Sequence, residues 1–475
     1  MEQARPVTRT RSPFSVWRKA ARIAHTVWAW LEAPVGEEGR DWQVRGRALG
    51  CRAAPLAKRS QLIGYHEAVK RLTDGVLPLD ACAVAPLDGM DRVLAAPVVS
   101  DIALPPFDNA ALDGVALVTE GRPIAPDRVW EIGARLGAGA PAPQDDAEAW
   151  EIMTGAPLPS RADTVVPLER IDRLASSASG VSRVRARDDV VPGANLRRRG
   201  EDVQPGQCVL PAGHVVDAGA LMLLAGLGIA AIRVVRRPRV ALLVTGREIA
   251  RIGEPLPIGN IHDATSPWLV HALSAAGAEA IHITRVGDDV AAFQAALDAA
   301  LADGVDLVLS TGAVSKGCYD FVPAALAVRD ADMLLHGVAM RPGKPVLAAR
   351  LRNGPTFVGL PGNPLSTAAT FRFLVEPLLR AWLGLPAETR RRVPLARHCD
   401  KREGLLTALH GTLRCDAEGR LRAHVSDAQA SFRLLPFSRS SVWITLPADV
   451  RRVDAGTCVD VHGSSHLCAP SWTCE

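Results

Sequence analysis

Three segments of this chain end an apolar run in glycine, next to a hydroxyl or a proline: Thr245-Gly246, Ser310-Thr311-Gly312 and Leu360-Pro361-Gly362-Asn363-Pro364. A glycine lets backbone N–H groups close on an oxyanion, and a helix starting there adds a dipole that favours negative charge. Ser315 and Lys316 follow the second segment, offering a hydroxyl and a cation for a phosphate. A fourth element, Met340-Arg341-Pro342-Gly343-Lys344-Pro345, sets two cations three residues apart on a loop stiffened by prolines. That arrangement suits a polyanion such as a pyrophosphate. Asp320, in KGCYDFV, has two readings. It can hold a divalent metal against phosphate oxygens, the usual mode for Mg²⁺, or it can cap a helix.

The elements around these residues must bring them together. VALLVTG (240–246) and DLVLSTG (306–312) read as buried strands, and PWLVHALSAAG and DDVAAFQAALDAALADG as the helices between strands. Strands alternating with helices of this length predict a parallel sheet with right-handed crossovers. In such sheets ligands sit beyond the carboxyl ends of the strands, so one shared rim would gather all three glycine turns. FVGLPGNPLSTAATFRFLVEPLLRAW adds a further strand, a tight turn and a closing helix. Residues 101–190 are rich in proline, glycine and short β-like runs, and predict a small β domain. Within it PPFDNAALDGVAL (105–117) and EIMTGAPLPSRADTVVPLE (151–169) are polar-and-glycine clusters between apolar stretches. NLRRRGEDV (195–203) is either a solvated charged face or an anion-binding edge. Residues 390–464 read as strands between turns, as in a small β barrel or sandwich, and the tail SSHLCAPSWTC matches no pattern.

Composition sets the outer bounds. The chain has 475 residues, 48% hydrophobic and 22% charged, enough for three or four domains with cores of their own. Its net charge of +4 is concentrated in the first 61 residues, and the remainder is slightly acidic, so a general nucleic-acid binder is excluded. Nine scattered cysteines form no CxxC pair, which fits neither a disulfide framework nor a zinc site and points to reduced thiols in the cytoplasm. No apolar run is long enough to span a bilayer. Residues 1–60, with four tryptophans and the basic stretch SVWRKAARIAHTVWAWLEAP, read as an amphipathic surface-binding helix or as a poorly ordered extension.

The segments FDNAALDGVA, IMTGAPLPSRADTVV, NLRRRGEDV, MRPGKP and LPGNPLS, in this order, resemble the molybdopterin molybdenumtransferase family, which includes the E domain of gephyrin-like proteins. The resemblance runs from about Leu62 to Leu383 and weakens in the last domain. It implies a multidomain α/β plus β architecture. This comprises a basic extension (1–60), an α/β linker and dimerisation domain (61–100 and 191–236) and a β-rich domain (101–190). A three-layer α/β molybdopterin-binding domain (237–384) and a C-terminal β-barrel-like domain (390–464) complete it. It further implies an elongated homodimer in which the α/β domain of one subunit faces the β-rich domain of the other. Family members take adenylylated molybdopterin and molybdate, cleave the adenylate with Mg²⁺, and release molybdenum cofactor and AMP, with molybdoenzymes as the recipients. Residue by residue, the resemblance carries Asp113, Thr154, Asp202, Asp320 and Lys344 over as catalytic, with Asp320 on the metal and Lys344 on phosphate or molybdate. Pro361 and Pro364 would shape the turn bounding the pterin pocket, with Thr245, Gly246, Thr311, Gly312, Ser315, Arg341, Gly362 and Asn363 as further substrate contacts.

The chain departs from the family pattern at several points on this rim. The usual TGDE is TGRE, placing Arg247 where an acid is common, a change that repels Mg²⁺ at close range and attracts an anionic substrate. Ala313 replaces a second glycine, Arg341 a lysine, Thr265 an asparagine, and Cys318 a polar or acidic residue. QASFRLLPFSRSSVWITLP replaces a serine-rich signature in the last domain. These departures leave a second function open: a protein that binds and delivers molybdopterin or finished cofactor without cleaving the adenylate. A scaffold role is a third, resting only on the N-terminal extension.

Overall fold

The computed structural model describes residues 62–474 except 144, 177–179, 315–319 and 353. The N-terminal extension expected over 1–60, and Ser315, Lys316 and Cys318, lie outside the described residues. The chain forms two compact units, Ala81–Val235 and the rest, in which the segment ending at Asp80 joins Arg236–Glu475.

The second unit contains a six-stranded sheet. Its strands are β1 (Arg239–Val244), β2 (Glu279–Arg285), β3 (Leu307–Thr311), β4 (Asp332–His336), β5 (Leu347–Arg350) and β6 (Thr356–Leu360), in the order β2-β1-β3-β6-β5-β4. β2, β1, β3 and β6 are parallel; β5 runs antiparallel to β6, and β4 antiparallel to β5. The uninterrupted apolar runs of β1 and β3 follow from helices covering both faces. Val240, Leu242 and Val244 of β1 pack with Leu269 and Leu273 of helix α2 (Thr265–Ala275). The intervening Ala241 and Leu243 pack on the other face with Phe293 and Leu297 of α3 (Val290–Ala302) and Val322 of α4 (Val322–Ala327). The period of two in β1 thus divides its side chains between two helical layers. Asp289 caps α3 through the Ala292 N–H (2.7 Å), and Asp263 caps α2 through the Ser266 N–H (2.9 Å).

Helices α5 (Pro364–Thr370) and α6 (Glu376–Trp382) are joined by a π-helical turn, Phe371–Val375. That turn carries Arg372, whose side chain is only 3% exposed. Arg372 pairs with Glu376 (3.2 Å) and Glu388 (2.6 Å) and donates from Nε to the Gly463 carbonyl (3.1 Å). Glu376 in turn accepts the His466 backbone N–H (2.7 Å). One buried guanidinium therefore ties the closing helix, the linker and the end of the chain together.

The C-terminal sheet is built on the long strand Leu406–Cys415, with Val442–Leu446, Cys458–His462 and Arg391–Pro394 following in order and Leu421–Val425 on its far half. Met340–Arg341, from the Arg-Pro-Gly-Lys loop, pairs parallel with Leu406 and Thr407. The tail, for which the sequence offers no pattern, supplies Trp472–Cys474 as another parallel partner of the long strand.

In the unit Ala81–Val235, a four-stranded sheet orders Arg135–Leu136, Ala149–Ile152, Gly114–Leu117 and Thr164–Pro167. Beside it stands a three-stranded sheet of Val129–Glu131, Arg183–Ala186 and Ile171–Leu174. A separate small core gathers Leu94, Val98, Leu210, Val216, Leu224, Ile232 and Val234 from its two ends. The multidomain α/β plus β-rich class expected from the sequence is the one observed.

The Arg372 cluster makes stability depend on pH and on charge balance. Burial works to raise the Glu388 carboxyl, but hydrogen bonds from His462 and Arg372 outweigh it and hold the group down at about 2. A depressed carboxyl contributes stability above its ordinary value of 4.5 and loses it as pH falls through about 2. The destabilisation caused by Glu388→Gln should therefore be greatest near pH 7 and shrink between pH 4.5 and 2, read by urea unfolding. Arg372→Met strands Glu376 in the interior and should cost about 3–5 kcal/mol.

Candidate functional site at the rim of the parallel sheet

β1, β3 and β6 end level with one another. Val244 pairs with Thr311, and Thr311 with Leu360, so the three glycine turns leave the sheet side by side. The strand order reverses between β1 and β3, the switch point at which open α/β sheets form a crevice. There the Thr245 hydroxyl (2.6 Å) and N–H (3.2 Å) both donate to the Thr311 carbonyl, and the Gly312 N–H donates to Leu360 O (2.9 Å). Gly246 and Gly312 have φ of +125° and +84°, the left-handed region that glycine enters without a Cβ penalty. A Cβ on Gly312 would meet Thr245 Oγ1 at 2.8 Å, while one on Gly362 would stand 3.7 Å from the Gly312 Cα. Thr245, Gly246, Thr311, Gly312 and Gly362 are thus neighbours. Ala313, at φ +53°, occupies the left-handed region with a side chain.

Pro361 and Pro364 frame the third turn. The Thr367 hydroxyl donates to the Pro361 carbonyl, the Thr367 N–H donates to Asn363 O (2.9 Å), and Pro364 opens α5, where a missing N–H costs nothing. The cationic loop packs against the same helix. Gly343, at φ +103°, leaves room that a Cβ would fill at 2.5 Å from Thr370 Oγ1, and Arg341 and Lys344 are exposed on either side of it. Asp320 is half-buried, and the Val322 N–H beside it returns to the Ala313 carbonyl (3.3 Å). That bond places Asp320 at the foot of the same rim.

Three acids on this rim escaped the sequence reading. The Glu248 carboxylate folds back over Gly246, where a Cβ would lie 2.8 Å from its Oε2. Asp263 is 3% exposed, with Oδ2 3.5 Å from Arg285 at the end of β2. Asp288, in the loop after β2, stands 3.6 Å from the Arg247 Nε. The cap pattern Asp263-Ala-Thr-Ser ahead of an apolar helix is the one signal that could have found Asp263.

In the unit Ala81–Val235, Asp113 and Thr154 meet. The Thr154 hydroxyl and N–H both donate to Asp113 Oδ1 at 2.7 Å, and these bonds, the hydroxyl's first, hold the carboxyl below its usual range. Asp202 is exposed, tethered by its N–H to the Leu104 carbonyl (3.0 Å). The arginine run is partly neutralised within this unit. Asp108 accepts the Arg199 N–H (2.7 Å) and pairs with Arg198 (2.9 Å), and both contacts lower its pKa.

A cavity of about 1090 Å³ lies elsewhere in the second unit, lined by Tyr65, Arg372, Arg380, Glu388, Asp460 and His462. Arg372 faces Glu388 and Arg392 faces Asp460 on the same wall, Arg380 donates to the Pro386 and His466 carbonyls, and none of the three glycine turns borders it. The rim is the better candidate because three glycine turns meet there and the loop packed on the helix that follows them carries the exposed cations Arg341 and Lys344.

A rim of glycine turns on a doubly covered, largely parallel sheet, with a β-rich unit and a C-terminal sheet, defines the protein class. Residues 63–228 match the MoeA N-terminal region (domain I and II), 241–381 a probable molybdopterin binding domain, and 392–463 the MoeA C-terminal region (domain IV). A molybdopterin molybdenumtransferase of Synechococcus elongatus is 35% identical over 414 residues, covering 84% of this chain and 99% of that protein. Molybdopterin molybdenumtransferase 2 of Mycobacterium tuberculosis is 36% identical over 390 residues, 78% and 91% of the two chains. The molybdopterin biosynthesis moeA protein of Pyrococcus horikoshii superposes with a TM-score of 0.70 at 25% identity, covering 85% of this chain and all of that one. The chain belongs to the molybdopterin molybdenumtransferase family, transferases of molybdenum cofactor biosynthesis.

The two rim glycines should respond differently to a methyl group. Gly312→Ala adds a clash with Thr245 to a left-handed backbone and should cost about 1–3 kcal/mol. Gly362→Ala makes only ordinary contact and should stay within about 0.5 kcal/mol of the parent. Chemical denaturation of both variants checks the contrast.

Proposed function

We propose that this chain inserts molybdenum from molybdate into adenylylated molybdopterin at the rim of the six-stranded sheet, releasing molybdenum cofactor and AMP. The observation that carries the reading is the level ending of β1, β3 and β6, which sets three glycine turns side by side at the switch point. Main-chain N–H groups at these turns would hold phosphate oxygens of the substrate. Arg341 and Lys344 would balance the charge of the pyrophosphate link and of molybdate, itself an oxyanion. Pro361 and Pro364 would fix the wall against which the pterin lies.

Among the described residues no three carboxylate, imidazole or thiol groups gather into a metal cage. Mg²⁺ commonly takes one or two carboxylates and completes its shell with substrate phosphates and water. Asp320 would be the protein ligand, and the bound ion would neutralise charge on the phosphates as the adenylate is cleaved. Asp113, Thr154 and Asp202 would complete the crevice from the second subunit of a homodimer. The Thr154–Asp113 bonds supply an ionised carboxylate with a fixed direction, suited to orienting a substrate donor or a hydrated cation. The thiols of Cys82, Cys208, Cys399, Cys458 and Cys468 form no disulfide, which supports work in the reducing cytoplasm.

A single-turnover assay with adenylylated molybdopterin, molybdate and Mg²⁺ tests the reading through AMP release. AMP should appear only when molybdate is present; tight pterin binding without AMP would make the protein a carrier. Asp320→Ala should lower molybdate-dependent AMP release by at least about 100-fold, with the sedimentation coefficient unchanged. Undiminished turnover in that variant removes Asp320 from the mechanism.

A further inference from the structure

Arg247 follows Gly246 directly at the β1–β3 switch point and is 78% exposed. Its Nε approaches Asp288 Oδ2 at 3.6 Å, beyond hydrogen-bonding distance. Arg236, in the same unit, shows what a structural arginine looks like here: two parallel 2.7 Å bonds to Asp306, with its side chain 32% exposed. The Arg247 contact is loose by comparison, and exposed pairs of this kind contribute little to stability.

Acids lie close to it, and one of them, Asp263, is offset by Arg285 at 3.5 Å. Glu248 lies over Gly246, Asp263 is buried at the start of α2, and Asp288 faces Arg247. An anion arriving at the end of β1 would meet Glu248 and Asp288 unless a cation came between them. No preassembled metal cage exists among the described residues to supply one. A guanidinium can: its planar fork matches two phosphate oxygens, and it is more weakly hydrated than an ammonium.

We propose that Arg247 is a substrate-binding cation held in reserve by Asp288. On arrival of the pyrophosphate link it leaves Asp288 and bonds a phosphate oxygen at the switch point. Fixed positive charge then supplies part of the neutralisation otherwise left to a divalent ion. The inference rests on the rim being the phosphate site, and it assigns to this chain a less metal-dependent grip on its substrate.

The test is calorimetric titration of inorganic pyrophosphate into the full-length protein with EDTA present, so that no metal contributes. Arg247→Gln should weaken binding about tenfold, the loss of one charge-assisted hydrogen-bonded contact. Arg247→Lys should recover part of that loss. Asp288→Asn should tighten binding several-fold, because the guanidinium no longer has a competing partner. If Arg247→Gln binds like the parent while Lys344→Ala is weakened, the role of Arg247 is overturned and the rim reading stands. If the parent protein does not bind pyrophosphate, or neither variant alters binding, both fall. If Asp288→Asn weakens binding as much as Arg247→Gln, Asp288 holds Arg247 in its working position and the reserve is overturned.

Discussion

The register of β1, β3 and β6 is the constraint on which the site depends. Because side chains alternate along a strand, slipping β1 by one residue would exchange Val240, Leu242 and Val244 for Ala241 and Leu243 between the helical layers. The first set fits against Leu269 and Leu273 and the second against Phe293 and Leu297, so a slip would crowd one layer and empty the other. Packing on both faces thus locks the strand ends level. The hydroxyl of Thr245 can then reach the Thr311 carbonyl, and Gly362 can lie against Gly312. The fold brings the three turns together through its core rather than through the turns themselves.

Two arginines show how burial decides what a charge does. Arg372 is enclosed, held by Glu376, Glu388 and the Gly463 carbonyl, and such an enclosed charge is expensive to leave unpaired. It therefore specifies one arrangement of helix, linker and chain end. Arg247 has water on most of its surface and a single acid at 3.6 Å. Its loss of contact is cheap, so it is available for exchange. The Asp113–Thr154 pair falls between these cases. It is exposed, yet the carboxylate has a definite direction because two donors of one residue converge on the same oxygen.

Much of the α/β region was readable because its signals are local. VALLVTG and DLVLSTG are continuous apolar runs ended by glycine, and the structure places their ends side by side. The pairing of Asp113 with Thr154 spans 41 residues and depends on the antiparallel register of Gly114 with Ile152, which no short window contains. The resemblance to a family named both residues, whereas spacing alone did not. Glu248 and Asp288 were missed for a related reason: an acid in a loop reads as solvated surface until the strand ends beside it are in place. The tail strand Trp472–Cys474 was illegible because it borrows its pairing from a strand some sixty residues earlier and carries no alternation of its own.

The loop bearing Arg341 and Lys344 belongs by sequence to the α/β sheet, joining β4 to β5, yet Met340 and Arg341 are hydrogen-bonded into the C-terminal sheet beside Leu406 and Thr407. The Leu406 N–H also donates to Ala339 (2.9 Å), extending that attachment by a residue. A C-terminal sheet anchored in this way is more than an appendage. It tethers the cationic loop, which is thereby held by two sheets at once, the α/β sheet through β4 and β5 and the C-terminal sheet through Met340 and Arg341. If Arg341 meets the substrate as proposed, sequence drift in the strands of the C-terminal sheet becomes a route for adjusting that contact.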